Sequence, residues 1–173
     1  MKPGMTGMIA GVLLAGAVQA AGFEERPAAP APELKAQDLA GATRTLADYR
    51  GKVVLLNFWA SWCPPCLHEK PSMERLRVKM AGRPLAVVAL NSAETREEVN
   101  AFLAKVKVGY PILLDPDGSN TKRWKVFALP TTFLLDASGR IRYVLTGPTE
   151  WDEGEALAKI EALLAETPAR KKK

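Results

Sequence analysis

Residues 53–66 constrain what this chain can fold into more than any other stretch. Val53-Val54-Leu55-Leu56-Asn57-Phe58-Trp59 is a short apolar run, β-branched at its start and aromatic at its end. That is the composition of a buried strand. Ala60-Ser61-Trp62 follows, and then Cys63-Pro64-Pro65-Cys66. Proline fits the first turn of a helix but not its interior, so Pro64 and Pro65 predict a helix start. Cys63 therefore falls where a strand ends and a helix begins.

The junction has chemical consequences. The first amides of a helix have no internal acceptor and the helix dipole is positive there. A Cys63 thiolate is stabilised, and its pKa falls below the free value of about 8.5. Cys63 is expected to be the more exposed thiol and the nucleophile. Cys66, one turn on, is close enough to resolve a mixed disulfide. Pro64 and Pro65 bring no N–H, so two donors that could face the sulfur are missing. The expected pKa shift is moderate, which suits a pair that reduces its partners.

These are the only two cysteines in 173 residues, and other uses fit them less well. A structural disulfide closing so small a loop contributes little. A zinc site takes about four ligands, and His68 is the only further Cys or His. His68 reads as a helix-surface residue. Covalent haem attachment requires His directly after the second Cys, where Leu67 stands.

Residues 1–20 read as a secretory signal: Lys2, an apolar centre from Met8 to Val18, and small residues at Val18-Gln19-Ala20. The apolar centre is too short to favour a membrane span, and an uncleaved anchor is the alternative. Export places the cysteine pair in a periplasmic or similar compartment, where disulfides form and persist. Residues 21–33 read as a Pro/Ala linker, with organised structure beginning near Leu34. Residues 34–166 fit one domain. Of the 24 Lys and Arg residues, one lies in positions 1–20 and four are Arg170 to Lys173, which leaves 19 against 19 acidic residues. The basic character thus belongs to a tail, 167–173, read as disordered. The tail is either solubilising or able to touch anionic membrane weakly, at about 1 kcal/mol per charge. No basic face with interleaved aromatics points to nucleic acid.

Leu34–Leu39 and Thr43–Thr45 read as a short hairpin, and 46–49 as a single helical turn. A helix is expected over 64–80, with Leu67, Met73, Leu76 and Met80 inward and a kink at Pro71. A strand follows at 85–90. Thr95 and Glu98 form a capping-box signature opening a helix to about Val106. A strand at 111–114 and a short helix capped by Ser119 or Asn120 come next. A hairpin spans 131–145, and a last helix, capped by Thr149, runs to about Ala165. The order predicts a mixed α/β sheet covered on both faces, with a short N-terminal β-hairpin extension.

Phe58 to Cys66, together with Leu129-Pro130-Thr131-Thr132-Phe133-Leu134-Leu135-Asp136 and Gly139-Arg140-Ile141, resembles the thioredoxin superfamily. More narrowly it is similar to the exported TlpA/ResA-like thiol–disulfide oxidoreductases, from about Leu34 to Leu164. The spacing alone leaves Pro130 open between a trans and a cis peptide; the resemblance implies the cis form, packed beside the disulfide. It further implies a thioredoxin fold, Cys63 as nucleophile and Cys66 as resolving thiol. Trp62, Pro64, Leu129 and Pro130 are implied to meet the substrate, with Leu129 offering backbone groups. Glu69 matches an acidic residue able to exchange the Cys66 proton, against the plainer reading of a solvated helix charge. Asn57 stands where cytoplasmic thioredoxins usually carry a buried Asp, and Asn cannot titrate. Trp59 is either site lining or core.

The implied activity is reduction of disulfides in exported proteins, such as apocytochrome c or copper-site proteins, with a membrane thiol donor upstream. No metal and no cofactor beyond the cysteine pair is called for. A disulfide-forming oxidase, a peroxidase, and a non-enzymatic metal binder using Cys63, Cys66 and His68 are the competing readings.

Overall fold

The computed structural model describes residues 22–167. The expected leader at 1–20, and the basic tail apart from Thr167, lie outside the described residues. The strands are β1 (Glu24–Pro30), β2 (Lys35–Asp38), β3 (Thr43–Thr45), β4 (Val53–Trp59), β5 (Leu85–Ser92), β6 (Ile112–Asp115), β7 (Thr131–Leu135) and β8 (Arg140–Thr146). The helices are α1 (Pro64–Lys79), α2 (Arg96–Leu103), α3 (Ser119–Arg123) and α4 (Gly154–Ala165), with a 3-10 turn at Leu46–Tyr49. Among the described residues the strands form one sheet in the order β1-β8-β7-β4-β5-β6-β2-β3.

β4 lies inside the sheet, parallel to β5 and antiparallel to β7. All seven of its residues are buried, because both faces of the sheet are covered. Successive side chains still alternate between faces. Val53, Leu55 and Trp59 enter a core with Met73 and Leu76 of α1, Val99 of α2, and Ile160 and Leu163 of α4. Val54, Leu56 and Phe58 enter a second core with Leu34, Trp124 and Phe133. The hairpin β2–β3 extends the sheet as expected, through antiparallel pairing of β2 with β6.

Three expectations need correction. Within the linker expected at 21–33, Glu24–Pro30 is instead an exposed strand that pairs antiparallel with β8. Proline is compatible with an edge strand, and a register shift between Glu25 and Ala29 takes Pro27 out of the ladder. Phe23 anchors the segment, its ring meeting Tyr143 and Trp151 edge-on.

Thr149 does not cap α4. Glu153 occupies that position, and the turn before it carries the wholly buried Trp151 into the core. Neither Ser119 nor Asn120 is the N-cap of α3. Gly118 is, at φ 67°, while the Asp115 carboxylate accepts from the Asn120 and Thr121 amides.

Candidate active site

β4 delivers the chain to Trp59, and a short turn leads to Cys63 at the N-cap of α1, with Pro64 and Pro65 at N1 and N2. The first amide available to the Cys63 sulfur is that of Cys66, which donates to Sγ at 3.3 Å. One backbone donor thus serves the sulfur, because the prolines bring none. Cys63 and Cys66 are joined as a disulfide, S–S 2.06 Å and Cα–Cα 5.3 Å. Cys63 keeps 4% of its surface exposed, and Cys66 none. His68 points outward.

An apolar cleft of about 490 Å³ opens over Cys63. Trp62, Pro64, Val126, Phe127 and Leu129 are among the side chains around it. Trp62 is 68% exposed and Phe127 93%. The Leu129–Pro130 peptide is cis. Leu129 lines the cleft, whereas Pro130 is buried behind it at the entrance to β7. The sequence reading passed over Phe127, which sits in a short loop with no periodicity to mark it.

Behind the disulfide lies a buried polar group of side chains. Glu69, one turn beyond Cys66 on α1, is fully buried rather than solvated. Its Oε1 accepts from Asn57 Nδ2 at 2.7 Å, and its Oε2 from Trp151 Nε1 at 3.1 Å. Asn57 Nδ2 also donates to Thr132 Oγ1 at 2.9 Å. Asn57 therefore holds the carboxylate in place, although it cannot itself titrate. Burial pushes the Glu69 carboxyl up to about 7, against the opposing pull of those two donors and of Lys70. Trp59 belongs to the core, its ring tilted against that of Phe102.

Sequence reasoning also passed over Lys70, Glu94 and Trp151. A signal for Lys70 exists: positions 66, 69, 70, 73 and 76 share one helical stripe, and all five are buried. Two charged residues in that stripe interrupt an otherwise apolar face. Ser72 ties α1 to the turn before α4, its hydroxyl donating to Glu69 O and accepting from Trp151 N.

A thioredoxin fold with a Cys-x-x-Cys disulfide at the head of its first helix defines a thiol–disulfide oxidoreductase of the thioredoxin-like class. The chain belongs to the AhpC/TSA family, which matches residues 27–144. It is 44% identical over 120 residues to the thioredoxin-like protein YneN of Bacillus subtilis (strain 168), across 68% of this chain and 69% of that one. It is 37% identical over 117 residues to the thiol-disulfide oxidoreductase ResA of Geobacillus thermodenitrificans (strain NG80-2), across 68% and 67%. Among solved structures, a candidate thiol:disulfide interchange protein DsbE from Chlorobium tepidum superposes with a TM-score of 0.74 at 32% identity. That match covers 82% of this chain and 99% of the other.

Proposed function

We propose that this protein is an exported reductase of disulfides in other proteins, acting by dithiol–disulfide exchange. The observation that carries the reading is the Cys63–Cys66 disulfide, with one sulfur at the floor of an apolar cleft and the other sealed behind it. A Cys63 thiolate attacks a substrate disulfide, forming a mixed disulfide and releasing one substrate thiol. Cys66 then attacks Cys63 Sγ, and the second substrate thiol leaves. The electron pair comes from the dithiol, so no separate cofactor enters.

Trp62, Pro64 and Leu129 flank the incoming segment, and Pro130 packs behind Leu129. Glu69 takes the Cys66 proton during the second attack. The single backbone donor to Cys63 supports the reductive direction, since weak thiolate stabilisation leaves the disulfide form comparatively favoured. Likeness to proteins named thiol-disulfide oxidoreductase ResA and thiol:disulfide interchange protein DsbE supports dithiol–disulfide exchange, and the substrates we propose are exported proteins such as apocytochrome c or copper-site proteins. A membrane thiol donor then re-reduces the pair.

The test is trapping with Cys66→Ser. This variant accumulates mixed disulfides through Cys63, and mass spectrometry of the captured proteins names the substrates. A reduction potential near −120 mV, the value of a strong oxidant, overturns the reductive direction. A Cys63→Ser variant that still exchanges with dithiols overturns the site.

A further inference from the structure

Lys70 has no part in the chemistry above, yet its position is costly. It lies on α1 directly after Glu69 with 1% of its surface exposed. Among the described residues its Nζ has no hydrogen-bond acceptor, and it sits 3.3 Å from the centroid of the Trp59 ring. A buried ammonium with no hydrogen bond gives up its hydration, and a cation over an indole recovers only part of that loss. Met or Leu would cover the same ring without that loss. The charge itself therefore calls for an account beyond packing.

The groups facing Lys70 supply one. Glu69 lies beside it on α1, and Glu94 lies in the turn after β5. β4 presents Trp59 and the neutral Asn57, and α2 sets Phe102 against the same indole, ring centroids 5.3 Å apart. Tyr110, before β6, is buried with its hydroxyl unpartnered and feels the Glu69 charge. Glu94 is already committed, accepting from the Ser61 amide and hydroxyl and from Asn91 Nδ2 at 2.6 Å. Glu69 receives neutral donors among the described residues, the Asn57 and Trp151 side chains and, more weakly, the Thr149 backbone. In a site this dry, a neighbouring cation is the strongest remaining influence on whether Glu69 is ionised.

We propose that Lys70 is a positioning residue for the second half of the reaction: its buried ammonium, held on Trp59, keeps Glu69 as the carboxylate that receives the Cys66 proton. The step balances within the chain and its substrate. The Cys66 proton passes to a Glu69 oxygen, and the Cys66 sulfur lone pair forms the bond to Cys63 Sγ. The bond from Cys63 to the substrate sulfur breaks, its electron pair leaving with that sulfur, which takes a proton from solvent. Glu69 later returns its proton to solvent. Without the Lys70 charge the buried Glu69 stays protonated at neutral pH and cannot accept.

This inference rests on the thiol exchange proposed above but not on its direction. Reaction of the reduced protein with dithiobis(nitrobenzoate) separates the two attacks. Release of the first nitrothiobenzoate reports Cys63 and release of the second reports Cys66. In Lys70→Met the second phase slows about tenfold at pH 7 and its pH midpoint rises by about one unit. The first phase stays within about twofold, and Lys70→Arg restores the second. An unmoved midpoint, or an equal fall in both phases, shows a packing role and overturns the proposal. If Lys70→Met fails to fold, the isotope-labelled wild type decides. The Lys70 Cε shift then still reports the ammonium where the Glu69 carboxyl ionises, whereas a Lys70 that loses its proton before Glu69 does overturns it. A wild type that shows both phases but favours oxidation removes the reductive reading and leaves this one standing.

Discussion

Glu69 and Lys70 are both displaced toward neutrality by burial, from opposite sides. The Glu69 carboxyl rises from 4.5 to about 7, and the Lys70 ammonium falls from 10.5 to about 7. The two titrate as a pair. Between about pH 4.5 and 7 the native state holds a Glu69 proton that the unfolded chain has lost, so stability falls as pH rises. Between about pH 7 and 10.5 the unfolded chain holds a Lys70 proton that the native state has lost, so stability rises again. A trough near neutrality follows. The double variant Glu69→Gln, Lys70→Met is expected to fill it, adding on the order of 1–3 kcal/mol at pH 7. Urea midpoints at pH 5, 7 and 9 measure this, and parallel curves for variant and wild type sink it.

Phe127 gives a second prediction at the same scale. An almost fully exposed aromatic beside the redox cleft contributes little to folding. Phe127→Ser is expected to leave the urea midpoint within about 0.5 kcal/mol. It slows reduction of a protein disulfide such as insulin several-fold and spares a small aromatic disulfide. Equal effects on both substrates would show that Phe127 does not meet the protein partner.

Helix α1 carries its chemistry in its first turn. Cys63 caps it, Pro65 stands at N2, and Cys66 supplies the N3 amide. Side chains at an N-cap accept from N2 or N3, so Pro65→Ala adds a second donor to the sulfur. The Cys63 pKa is expected to fall by about 0.5–1 unit, raising the potential by up to about 30 mV. Thiolate absorbance and glutathione equilibration measure the two, and an unchanged pKa removes the prolines from the account.

This helix was legible in the sequence because its signals are local: a strand, a cysteine cap and two prolines within a few residues. The capping box at Thr95 and Glu98 was legible for the same reason. Elements defined by distant partners were not. The α3 cap depends on the Asp115 side chain several residues upstream. α4 starts late because Trp151 must first reach Glu69 and Ser72 on α1. β1 depends on pairing Glu24 with Val144, and composition alone makes Glu24–Pro30 look like a linker. Within the site, both cysteines and Glu69 could be read from the motif. Lys70 was hidden because charge usually signals solvent, although its helical stripe pointed inward.

Across the whole molecule, the first described residues back the redox site from behind. Phe23 packs its ring against Trp151 at 5.9 Å and Tyr143 at 6.5 Å, and Trp151 donates to Glu69. The chain of contact runs from the N-terminal segment through a buried indole to the carboxyl behind Cys66. Phe23→Ala is expected to cost about 1–2 kcal/mol through the lost aromatic edges and the loosened β1. It should also weaken the hold of Trp151 on Glu69. Weakening a donor to the carboxylate raises the Glu69 pKa, so the pH midpoint of the Cys66 step moves up. Urea unfolding and the two-phase thiol assay measure both effects on one protein. A loss of stability with no movement of that midpoint would confine Phe23 to holding the sheet edge. A variant as stable as the wild type would show that the segment before Leu34 contributes nothing to the fold.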